Sequence, residues 1–123
     1  MPDPSTTKIQ ALLPLAPRDY LILFAMAGGA LHGHGILKAI ESGTGGVPVD
    51  PANLYRSLRK MERDGLIVES RSSRESDAAG PPRRSYRLTK LGRAVLVAEA
   101  DRLTQLADAA RKHRLVPRSQ EGR

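Results

Sequence analysis

The chain has no cysteine and no tryptophan. Without cysteine it can build neither a disulfide framework nor a thiolate metal site, a usage that agrees with a reducing compartment. Aromatic side chains are scarce, one Phe and three Tyr, so Leu, Ile, Val and Ala must fill the core. Long hydrophobic runs are lacking too. The most apolar stretch, Tyr20-Leu21-Ile22-Leu23-Phe24-Ala25-Met26-Ala27, is too short to cross a bilayer even when extended to Leu31. Ala25-Met26-Ala27 imitates a signal-peptidase site. However, the segment ahead of the run is not net positive and Arg18-Asp19 abut it, so it reads as a buried helix, with no membrane partner. Nor is there an activated nucleophile, a carboxylate pair or a glycine-rich phosphate loop tied to a strand. The pattern is not an enzyme's and requires no cofactor. His32, His34 and His113 are the three histidines; with few acids beside the first two, they do not make a metal site.

What the chain does have is positive charge, unevenly placed. Its 123 residues suit one domain, and the net charge is +7. Residues 1–49 hold three basic and three acidic side chains, residues 50–93 hold eleven and six, and residues 94–123 hold six and four. The excess therefore sits in the middle of the chain, as phosphate contacts would require.

That middle stretch organises the rest. Asp50 is placed as an N-cap and Pro51 suits the first helical position. Leu54, Leu58 and Met61 follow at helical spacing and make one apolar stripe. Asn53, Arg56, Ser57 and Lys60 share a second, polar face that can lie in a DNA major groove. Asn can read adenine there, and Arg or Lys guanine. Tyr55 sits beside the stripe, its ring able to pack while its hydroxyl reaches a phosphate. Arg59 and Arg63 flank the face as phosphate ligands. Gly65 ends the helix as a left-handed cap. Residues 66–71 are β-prone, 72–84 form a polar loop rich in Ser, Gly, Pro and Arg, and 85–88 make a short return strand. Helix, glycine turn and hairpin together spell a winged helix. Arg71, Arg74, Arg83, Arg84 and Arg87 bracket the wing, where an arginine can enter a narrow minor groove. Pro81-Pro82 stiffens the approach to Arg83-Arg84, and Glu75 and Asp77 dilute the charge at the tip, so the Arg83-Arg84 side is the expected contact.

On either side the pattern is helical. A core helix is expected over 18–27, stopped by Gly28-Gly29. The glycine-rich His32-Gly33-His34-Gly35 reads as a turn into a second helix over 36–42, with Ile36, Leu37 and Ile40 facing inward. Val47-Pro48-Val49 reads as an extended piece able to add a third strand to the hairpin. Thr89 caps a last helix running to about residue 113, roughly 37 Å long at the usual rise. Leu91, Val95, Ala98, Leu106 and Ala110 form its stripe, with Leu103 beside it and Arg102 interrupting it. So much apolar surface on one helix suits a partner copy of the chain.

Four short motifs occur in order: His32-Gly33; Asn53-Leu54-Tyr55-Arg56-Ser57-Leu58; Gly65-Leu66-Ile67; and Tyr86-Arg87-Leu88-Thr89-Lys90-Leu91-Gly92. In these the chain resembles the PadR family of bacterial transcriptional regulators over roughly residues 15–110. It departs at Ala52-Asn53, where the family often has Gly-Thr, and at His34, where it often has Tyr. The resemblance implies a mainly α protein with a small β-hairpin, a winged helix-turn-helix plus one long C-terminal dimerisation helix. It also implies double-stranded DNA as partner, a homodimer, a repressor's role at a palindromic operator, and a cytoplasmic, nucleoid-associated location. Some relatives bind a small-molecule effector at the dimer interface, but the last helix here carries no aromatic residue to stack on one. The division expected is a flexible N-terminal arm over 1–13, the winged domain over 14–88, the dimerisation helix over 89–115 and a disordered basic tail over 116–123. The contrasting reading is a winged-helix module that binds protein, its basic face merely solvated.

Overall fold

The computed structural model describes residues 4–43, 48–70 and 84–117. In chain order the elements are α1 (Pro4–Ala11), α2 (Pro17–Ala25), β1 (Leu31–His32), α3 (Gly33–Ser42), α4 (Pro51–Arg63), β2 (Ile67–Ser70), β3 (Ser85–Leu88) and α5 (Lys90–Lys112). The fold is mostly helical, with one three-stranded antiparallel sheet in the order β1-β3-β2. Ile22, Leu23 and Met26 from α2 and its end, Ile36 and Ile40 from α3, and Leu54, Leu58 and Met61 from α4 meet Leu66, Ile67, Val95 and Leu96 in one core.

The ends of α4 follow their local chemistry. Asp50 Oδ1 accepts from the Ala52 N–H at 3.4 Å, and Pro51 supplies a preset φ at the first position. At the far end Gly65 has φ +80°, which a side chain would disfavour. Its N–H donates to the Glu62 carbonyl at 3.1 Å and that of Leu66 to Met61 at 2.9 Å. This paired closure turns the chain straight into β2.

The hairpin is clasped at both ends. The register runs from Ile67↔Leu88 to Ser70↔Ser85. At the open end the Ser85 hydroxyl donates to the Ser70 carbonyl. At the closed end Thr89 N–H donates to the Leu66 carbonyl at 3.0 Å, and the Thr89 hydroxyl donates to the Gly65 carbonyl at 2.5 Å. That same Thr89 oxygen accepts from Gly92 N–H at 3.0 Å and so caps α5, as its position in the sequence predicts. Gly92 lies so close to the turn that a Cβ there would fall 1.9 Å from the Leu66 carbonyl oxygen.

Four expectations are corrected. The segment expected as a flexible arm contains α1, which packs beside α5, and Ile9, Leu12 and Leu13 in and after it lie against the core. The glycines at 33 and 35 do not form a turn but open α3, because the helix starts directly from the strand residue His32. The third strand is Leu31–His32, opposite Tyr86 and Ser85, rather than 47–49. Val49 instead plugs the core beside Pro48, whose nitrogen has no proton to give a ladder; Val47 lies outside the described residues. Finally, α2 is not buried all round: Ile22 and Leu23 are sealed, but Phe24 is 51% exposed and stacks on Tyr20 with ring centroids 6.0 Å apart.

The long helix divides into two halves. Val95 is fully buried and Leu91 packs on the protomer's own core, so neither is free for a partner as the stripe suggested. Ala98 and Ala110 are half-buried, while Leu103 and Leu106 are exposed. Between the halves lies a buried carboxylate. Glu99 is 1% exposed; it accepts two bonds from Arg102, at 2.6 and 2.7 Å, and one from the Leu15 N–H at 3.2 Å. The bond from Arg102, helped by that backbone donor, holds the carboxyl below its ordinary range against the opposing effect of burial. Arg102 is thus no accident in the stripe: it lets an acid tie α5 to the link between α1 and α2.

Candidate nucleic-acid interface

The tightest part of the interface is α4. Leu54, Leu58 and Met61 fix one face in the core, which leaves Arg56, Arg59, Lys60 and Arg63 exposed and Asn53 half-exposed on the other. Arg56 donates to Asn53 Oδ1 at 2.9 Å, so the two expected base readers already face the same way. Lys60 pairs with Asp64 at 3.1 Å along the helix, an exposed contact that a phosphate can displace at small cost.

Ser57 is a correction. It is 6% exposed and accepts from Arg18 Nε at 3.1 Å. The spacing 54, 57, 58, 61 is itself a core stripe, and only the hydroxyl made Ser57 look like a surface residue. Its work is to seat Arg18, from the first turn of α2, against α4. Arg18 was not singled out in the sequence, because nothing local links residues 18 and 57.

Tyr55 is 44% exposed and leans over the start of α3. A Cβ on Gly33 would come within 2.6 Å of the Tyr55 hydroxyl and 2.8 Å of its ring, so Gly33 is what admits that ring. Two motifs far apart in the sequence, His32-Gly33 and Leu54-Tyr55, are one contact in space. Beside it opens a cavity of about 550 Å³ lined by His32, Gly33, His34, Tyr55, Arg59, Arg84 and Tyr86. Tyr86 is reached from the central strand; burial first, then the charge of Glu62, raises its pKa, while a hydrogen bond from Arg84 pulls the other way. Of the wing arginines, Arg84 lies 3.9 Å from Glu69 and Arg87 is exposed on β3. Arg71, Arg74 and Arg83 lie outside the described residues. Among the described residues no group of His, Asp and Glu could hold a metal ion. No helix there is long and apolar enough to cross a membrane.

A helix-turn-helix of α3 and α4, the three-stranded sheet packed beside it, and an appended long helix define a winged helix-turn-helix protein. The sequence matches the transcriptional regulator PadR-like family over residues 22–98, and the chain belongs to that family. The family is one of transcriptional regulators rather than enzymes. Transcriptional regulator Rv3488 of Mycobacterium tuberculosis is 38% identical over 74 residues, which cover 60% of this chain and 65% of that protein; the match spans less than two thirds of the relative's length. A PadR family transcription regulator of Clostridium difficile R20291 superposes with a TM-score of 0.68 at 21% identity, covering 77% of this chain and 95% of that one. Bacillus subtilis PadR, solved in complex with operator DNA, superposes with a TM-score of 0.60 at 22% identity, covering 69% of this chain and 47% of that one. At such identities the likeness is one of fold.

Proposed function

We propose that the chain is a sequence-specific DNA-binding transcriptional regulator, a repressor that binds a palindromic operator as a homodimer on the cytoplasmic nucleoid. The observation that carries this reading is the exposed face of α4, where Asn53, Arg56, Arg59, Lys60 and Arg63 stand on a helix locked by three buried side chains. Rigid placement is what base reading needs, because hydrogen bonds to base edges tolerate little misalignment. Asn53 and Arg56 read bases, Arg59 and Arg63 hold phosphates, and the wing, through Arg83, Arg84 and Arg87, follows the neighbouring groove. Family membership supports the regulatory role, and a relative of the same fold has been solved with operator DNA.

The homodimer rests on the distal half of α5. Leu103 and Leu106 are 36% and 53% exposed, with half-buried Ala110 continuing the row, and none of the described residues covers the two leucines fully. A second copy of the same row is the simplest cover, and two-fold pairing makes the operator a palindrome with half-sites about one DNA turn apart or a multiple of it.

The test is selection of bound duplexes from a random pool, followed by affinity at several salt concentrations and transcription from a promoter bearing the selected site. A palindromic motif, an affinity that falls steeply with salt and reduced transcription are the expected results. If no motif emerges, the sequence-specific reading falls and a protein-binding module with a solvated basic face takes its place.

A further inference from the structure

The cavity between α3, α4 and β3 is not explained by base reading. It is lined from three elements at once. Arg59 comes from the side of α4, Arg84 from the residue before β3, and Tyr55 and Tyr86 wall it. Gly33 and His34 of the first turn of α3 also line it, and the N–H groups of a helix's first turn have no carbonyl partner within the helix. Two guanidinium groups, a tyrosine hydroxyl and a helix start all favour the same guest, an oxyanion. The acids nearby are Glu69, 3.9 Å from Arg84, and Glu62, whose charge is felt at Tyr86. Arg84 also hydrogen-bonds with Tyr86, and its pair with Glu69 is exposed, so a phosphate can displace it at small cost.

We propose that this cavity seats one phosphate group, a phosphodiester of the DNA backbone, and that Arg59, Arg84 and Tyr55 grip it. The proposal rests on the DNA-binding reading given above and adds to it a specific anchor. A phosphate fixed between α3, α4 and β3 sets the angle at which α4 meets the groove, because those three elements share one core. Gly33 is part of the seat, since a side chain there would push Tyr55 away. Glu69 opposes the seat, since its negative charge lies 3.9 Å from the Arg84 guanidinium and would repel a phosphate bound there.

The test uses the full chain and its selected operator, with single methylphosphonates that remove one backbone charge at a time. At one position in each half-site the neutral linkage should weaken wild-type binding about tenfold, the worth of a charge-assisted contact. At that position Arg59→Gln and Tyr55→Phe should cost nothing further, while elsewhere each keeps its full loss. Both side chains are partly exposed, and unfolding curves matching the wild type show that the variants are intact. Glu69→Gln should tighten binding on the natural duplex and have no effect on the duplex neutralised at the seat. If Arg59→Gln and Tyr55→Phe lose the same factor at every neutralised position, the cavity holds no backbone phosphate and the proposal is overturned. Failure of the wider reading looks different: the wild type then binds no duplex in a salt-dependent way. In that case inorganic phosphate is titrated while the Gly33 and His34 amide resonances are followed. Shifts that vanish in Arg59→Gln would assign the seat to a free phosphate and overturn DNA as its source; their absence would overturn the seat altogether.

Discussion

Gly92 shows how much one missing side chain can decide. The first turn of α5 rests on the carbonyl of Leu66, so closely that a Cβ would sit 1.9 Å from it. The obstacle is backbone on both sides, and no rotamer change relieves it. Gly92→Ala should therefore lower stability by at least about 1–3 kcal/mol, the usual cost of overpacking. Urea unfolding would measure it, and an unchanged midpoint would mean that the turn can slide. Glu99 makes a second prediction at this scale. Its folded pKa is lowered, chiefly by Arg102, so the unfolded chain takes up its proton first. Its contribution is complete above the ordinary glutamate value of about 4.3 and is lost as pH falls through the folded value. Stability measured from about pH 6 down to pH 3 should fall less steeply in Glu99→Gln than in the wild type. Arg102→Ala should lower stability at neutral pH and lessen its fall towards pH 3, because it leaves a buried carboxylate with one backbone donor.

Among the elements, α4 carries two tasks that substitutions should separate. Leu58 is 1% exposed, so Leu58→Ala should lower folding stability by about 2–5 kcal/mol and leave the selected motif unchanged. Arg56→Ala should do the opposite, leaving stability alone while costing roughly 1–3 kcal/mol of binding and relaxing one symmetric pair of base positions. Calorimetry and repeat selection on both variants would check the division; an unaltered motif in Arg56→Ala would remove Arg56 from base reading. This helix was legible in the sequence because its signals are local: a capping Asp, a Pro, a three-four stripe and a closing Gly. The strand pair was legible for the same reason. What escaped were relations between distant segments. Arg18 meets Ser57, Gly33 admits Tyr55, and Leu31–His32 completes the sheet beside Tyr86; no periodicity within one element shows any of these. The stripe of α5 was read correctly as apolar but assigned to a single use. Spacing cannot tell that its first half covers the protomer's own core while Leu103 and Leu106 in its second half stay exposed.

At the scale of the whole molecule, the distal half of α5 is the surface to test. Leu106→Asp places a charge in the exposed row without touching the core. Sedimentation should then show monomers where the wild type is dimeric at micromolar concentration, and operator binding should weaken because two half-sites are no longer held by one particle. A wild type that sediments as a monomer would rule out the proposed assembly.

The double clasp on the hairpin has a further consequence, one for evolution. Ser85 on Ser70 fixes one end, and Thr89 on Gly65 and Leu66 fixes the other, so the register of the two described strands is held at both ends. Exposed positions of the strands, such as Val68, Glu69 and Arg87, can therefore change while Arg84, Tyr86 and the start of α5 stay where they are. Lineages can recharge that strand face at little risk to folding while the rest of the scaffold is inherited intact.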